Sequence, residues 1–342
     1  VSIGYNSGTS QSFYADNNIA IGYSAGCTGQ GLTGMIPTDD YTSFIYFSGK
    51  SIAIGSNAGN INQTADAIAI GENAGFNSQN SLAVAIGYNS GSYSQGLGSI
   101  AVGFEAGSTG QGYAAIALGL RSGKDNQSER SVSIGLGSGS ISQGDDSIAI
   151  GTNTGEYNQG IESIAIGSFA GGIGQGPSSI SIGSRAGEFN QGSGSIAIGF
   201  QAGITGQSVG AIAIGYEVGE VFQAPNSVII GSFSNTLGIT ANNSVAVGSF
   251  NFVDAYSIAL GYSINTNGNT GCIVLNSGSS FVSCQSSNQF VLAGVKTADP
   301  NASGPIPVLQ QLTNPNPSAS GGNIWLPVQI GTVGYLIPIF YQ

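Results

Sequence analysis

Histidine is absent from the 342 residues, and only 7% of them are charged. Without imidazole and with only three cysteines, neither a histidine-based catalytic triad nor a zinc cluster is available. Six Lys and Arg stand against 17 Asp and Glu, a net charge of −11. So few cations exclude a nucleic-acid surface, because neutralising phosphates needs clustered Lys and Arg. There is no run of apolar residues long enough for a membrane-spanning helix. Cys27, Cys272 and Cys284 form an odd set that reads as free buried thiols, with pairing of Cys272 and Cys284 left open. The 57 glycines lack the three-residue period of collagen, and 40% hydrophobic residues exceed what a disordered chain carries.

The glycines keep time instead. The tripeptide Ala-Ile-Gly and its variants place a Gly at 55, 71, 87 and so on to 231 at a constant interval of sixteen, with earlier copies ending at Gly4 and Gly22 and looser ones at Gly248 and Gly261. With that Gly as position zero, −1 and −3 are branched apolar residues and −2 is Ala or Ser in nearly every copy. Position +4 is Gly from Gly8 to Gly219. Position +8 is Gln30, Gln63, Gln79, Gln95, Gln111, Gln127, Gln143, Gln159, Gln175, Gln191, Gln207 and Gln223. Alternation with period two and β-branched residues predict a strand at −3 to −1, and the glycines predict tight turns. The expected fold is all-β: a parallel β-solenoid of sixteen-residue coils stacked about 4.8 Å apart. Charges between Gly55 and Gly231 fall only at +1, +2, +5, +6, +10 and +11, which mark the rims.

On this reading −3 and −1 point into each roll and the Ala/Ser stripe faces out. Burying two branched side chains per coil falls short of the cost of ordering sixteen backbones. A small, charge-free outer stripe therefore implies packing against another chain, and the expectation is a parallel homo-oligomer. The column Gln63 to Gln207 reads as a stacked amide ladder bonded along the rod axis, in preference to a sugar-binding groove.

Ser-Ile-Ala-Ile-Gly followed by Ala-Gly, as in 51–59 and 195–203, resembles the head repeat of the YadA-like trimeric adhesins. The resemblance spans residues 1–265 and implies a left-handed β-roll with three parallel chains. The sixteen-residue period departs from the shorter one of that family, and the Gln-Gly near +8 and +9 is closer to fibre proteins of large DNA viruses and phages. Residues 272–276 with Phe290-Val291 resemble a viral-fibre neck, and 325–328 with 335–338 resemble endings of large-virus proteins. The domain reading is a shaft at 1–265 with an insertion at 32–50, a neck-like transition at 266–299 and a C-terminal cap or knob at 300–342. Seven prolines after residue 299 argue against a membrane-anchoring barrel there, so no membrane insertion is expected.

Recognition should fall where the clock breaks. The insertion offers Tyr41, Phe44, Tyr46 and Phe47 as a contact loop, and the C-terminal segment offers Trp325, Tyr335, Phe340 and Tyr341. Aromatics at +1 (Tyr5, Tyr23, Tyr88, Phe104, Phe200, Tyr216) read as buttresses for a neighbouring chain or as glycan contacts. No catalytic constellation is found. Asp145-Asp146 is an adjacent pair whose carboxylates diverge, and after Asp254 only Asp299 remains, too few for glycan cleavage. No enzyme activity, cofactor or metal is expected. The functional expectation is a homotrimeric fibre on a virion surface or otherwise extracellular, serving host attachment. Its partners would be a capsid or anchor protein and a host glycan or receptor. The alternative is a bacterial trimeric adhesin head or an extracellular filament subunit.

Overall fold

A computed structural model describes residues 1–9, 17–31, 34–37, 44–47, 49–236, 241–293, 324–330 and 333–339. Every described regular element is a strand. Short parallel strands stack one per coil into an 18-stranded sheet. Its register steps by one coil: Ile52 pairs with Ile68, Ile68 with Val84, and Ile100 with Ile116. A second sheet of eight strands carries the glutamines, Gln79 beside Gln95 and Gln175 beside Gln191. In the main sheet, strands of five and then four residues replace three-residue ones from Ile212–Tyr216 onward. The main sheet continues past the last clear repeat through Ile273–Asn276 and Phe290–Ala293.

The inside and outside of the roll are the reverse of the sequence expectation. Position −2 lines the lumen: Ala53, Ala69, Ala85, Ala101, Ala117 and Ala149 are 0% exposed. The −1 column faces out, with Ile86, Ile134, Ile166 and Ile182 each 36–37% exposed, and −3 is half-buried. Alternation fixes which residues share a face but not which face closes. The buried glutamine decides it, because a side chain that long fits between two walls only where the facing residues are small. The small stripe does pack against backbone, but against the opposite wall of its own coil.

Two glycine positions make the coil possible. Position zero has φ of about +129° at Gly55 and Gly71, and a Cβ on Gly71 would stand 2.6 Å from the carbonyl oxygen of Gly87 in the next coil. At +4, Gly75 has φ +53°, and a Cβ there would stand 2.6 Å from Gln79 Oε1. Further left-handed corners fall at +2, +7 and +11, as at Asn57, Asn62 and Asp66. Asn, Asp and Ser hold many of these corners, and among the described residues no β-branched residue does.

The insertion leaves its coil intact. Gly49 donates to the Gly31 carbonyl, and Lys50 takes the same left-handed turn, φ +61°, as Asp66 one coil on. Between them Gly34–Pro37 and Phe44–Phe47 form an antiparallel pair. A second antiparallel pair joins Ile324–Ile330 to Val333–Ile339, with Pro327 and Pro338 inside it. Cys272 and Cys284, expected as free thiols, form a disulfide inside the roll. Cys272 stands at −4, a lumenal place held by buried serines such as Ser195 and Ser227 in other coils, so the two sulfurs meet across the interior. Cys27 is free.

Candidate functional site

The lumen and the outer face of the main sheet divide the work between them. Each of the twelve +8 glutamines is at least 97% buried. Each donates Nε2 to the carbonyl eleven residues back at 2.7–2.9 Å, as Gln63 to Ile52 and Gln143 to Val132. In ten coils the same amide is 3.0–3.5 Å from the carbonyl four residues ahead. Amide-to-amide bonds along the axis join Gln63 to Gln79, Gln111 to Gln127, Gln191 to Gln207 and Gln207 to Gln223. The principal bond of each glutamine therefore ties the two walls of its own coil, and the axial bond is the lesser one.

The outer face is apolar. Columns −3 and −1 run side by side from Ile19 and Ile21 to Phe290 and Leu292. Position +1 lies on the same face and adds exposed aromatics at its edge. Tyr5 stacks on Tyr23 at 5.6 Å, Tyr88 on Phe104 at 5.1 Å and Phe200 on Tyr216 at 5.3 Å. From Tyr216 the chain of ring contacts continues through Phe233 and Phe250 to Tyr262.

Among the described residues most charge sits at the corners. Arg130 bonds Asp146 of the next coil through Nε at 2.7 Å and Nη2 at 2.8 Å, and Arg121 reaches Glu105 at 3.0 Å. The hydrogen bond from Arg130 holds the Asp146 carboxyl below the usual carboxylate range. The Arg130–Asp146 pair is solvent-exposed and the Arg121–Glu105 pair is exposed on its arginine side, so each contributes little to stability. Among the described residues no cluster of side chains suits a metal ion.

The proposed contact residues divide. Phe44, Tyr46 and Phe47 lie on one strand of the inserted hairpin, while Tyr41 is outside the described residues. Trp325 pairs with Pro338 and Tyr335 with Val328 in the second hairpin, while Phe340 and Tyr341 are outside the described residues. Sequence reasoning left the disulfide open while favouring free thiols, and it missed the row of aromatics that shifts from +1 to +2 at Phe233 and Phe250. The signal for the second was present: the shift coincides with the loss of Gly at +4.

No curated protein and no solved structure matches the chain. The family model of the YadA head domain repeat matches in two copies over residues 133–154. Residues 133–154 therefore carry the YadA head domain repeat, and the coils on either side repeat its glycines, branched residues and register.

Proposed function

We propose that the roll is the shaft of a parallel homotrimeric fibre displayed outside the cell that makes it, on a virion surface, and that it serves host attachment. The observation that carries this is the outer face: two columns of branched side chains, partly exposed along the roll. A surface of this length and composition in a single chain is an unfilled interface. The repeat family supports three copies and a surface-displayed, non-enzymatic role. Display in three copies raises avidity without new contacts.

Within this reading the column Gln63 to Gln207 fixes the coil and binds no ligand. The hairpin bearing Phe44, Tyr46 and Phe47 and the one bearing Trp325 and Tyr335 are the recognition or capping elements, and residues 266–299 are the neck. A cell-surface adhesin uses the same shaft with a different anchor, and the YadA head match is the observation that favours it. Light scattering of the purified chain tests the core of the proposal. Three copies per particle are expected, and a monomer at micromolar concentration contradicts it.

A further inference from the structure

Where the clock breaks, a corner of the roll opens into a surface pocket of about 260 Å³, lined by Glu217, Glu220, Phe233, Asn235, Phe250 and Phe252 among others. In earlier coils the +4 glycine turns tightly against its glutamine, as Gly203 does against Gln207. In the coils that follow Gly231 and Gly248, that place is held by Asn235 and Phe252, which are extended and paired side by side. The corner is drawn out, and the space that the tight turn filled becomes a notch.

The notch has an apolar floor and a negative wall that no described cation faces. Phe233 and Phe250 stack at 5.1 Å with their planes 14° apart. Glu217 and Glu220 come from the preceding coil, and neither is in an ion pair with a described residue. Between Arg185 and Lys296 the sequence contains no Lys or Arg at all. The neighbouring Tyr216 phenol is pushed above its ordinary value, first by its hydrogen bond to Glu217, then by burial and by the charges of Glu217 and Glu220.

We propose that this pocket binds a lysine or arginine side chain presented by a basic segment of a partner protein. Such a side chain matches both halves of the site: its methylene stem lies on the phenylalanines and its cationic head reaches the carboxylates. A sugar fits less well. Stacking on a sugar ring needs an open aromatic face, but Phe233 and Phe250 cover each other, and Tyr216 and Tyr262 engage them from the other sides. A neutral ligand would also leave both carboxylates without a counter-ion.

The test is fluorescence anisotropy of a labelled peptide of alternating lysine and serine added to the full chain, with a glutamate–serine peptide and a set of neutral oligosaccharides in parallel. The lysine peptide is expected to bind, and the double variant Glu217→Gln/Glu220→Gln to weaken it roughly tenfold. The variant Glu156→Gln/Glu162→Gln removes as much charge elsewhere and is expected to change binding little, which separates the pocket from attraction to a chain of net charge −11. Light scattering on each variant shows separately whether the assembly has changed. Equal weakening by both double variants, no binding of the lysine peptide, or binding of an oligosaccharide in its place overturns the proposal.

Discussion

The coils from Gly55 to Gln223 and those from Gly231 to Ala293 share one continuous sheet, yet they fill their interiors differently. In the first group each lumen holds a glutamine amide tied to both walls, and every coil is sixteen residues long. In the second no glutamine stands at +8, and Ile229, Val253, Ile264, Val274 and Val291 with the disulfide Cys272–Cys284 fill much of the interior, beside the buried Asn251, Thr266 and Asn276. Coil length then varies: Gly231 pairs with Gly248, Gly248 with Gly261, Gly261 with Asn276 and Asn276 with Ala293, steps of 17, 13, 15 and 17. An amide that must meet a carbonyl eleven residues back fixes the chain length between them, whereas apolar side chains only need contact. The hydrogen bond is the clock, and its loss allows irregular coils with pockets at their corners.

The largest expected effect breaks the comparison at its root. Ala117→Arg places an unpaired charge in the lumen and should cost about 3–5 kcal/mol, seen as loss of the β circular-dichroism signal or a much lower melting temperature. Leu118→Arg, one residue on and outside, should keep the fold and abolish self-association by light scattering. Equal effects on both readouts would mean that the two faces are not distinct.

Gln143→Ala should destabilise by about 2–3 kcal/mol, because it removes the cross-wall bond and leaves a void among small side chains. The same deletion has no counterpart in the later coils, where Ile264→Ala should show a comparable loss from packing alone. Denaturant midpoints of the two variants measure this.

Cys272→Ala/Cys284→Ala should cost about 2–3 kcal/mol, confined to the coils after Gly231. Hydrogen exchange would then rise in 258–293 and stay unchanged in 84–198. A uniform rise would show that the two regions unfold as one.

The smallest effect concerns the corners. The folded-state pKa of Asp146 is depressed by Arg130, so the pair's contribution is present above the unfolded value and is lost as pH falls through the folded one. The pair is exposed, so Asp146→Asn should move the melting temperature slightly at neutral pH and low salt, and not at all in high salt.

Much of this architecture was legible in the residues. Sixteen-residue spacing, the strand at −3 to −1, the turns at Gly and the charged rims all follow from periodicity. The direction of the faces did not, because alternation is symmetrical and the intuition that Ile goes inside fails for a roll this thin. Gln at +8 held the missing information: a long polar side chain in a column without charge needs a small-walled interior. The disulfide was hidden by a missing glycine. Cys272 and Cys284 stand at −4 and +8, the places that Ser195 and Gln207 hold in a regular coil, but Asn276 replaces the glycine that would have revealed the frame. The pocket was hidden because it is made by the absence of a turn, which no motif announces.

The assignment of the small column to the lumen and the branched column to the outside is the central claim, and thiol labelling tests it most directly. In a Cys27→Ser background, Ala149→Cys and Ile150→Cys are compared at a protein concentration low enough to dissociate the chains. The account predicts that Ile150→Cys reacts quickly while Ala149→Cys stays protected until the roll unfolds. Labelling of Ala149→Cys at the same rate or faster would contradict it.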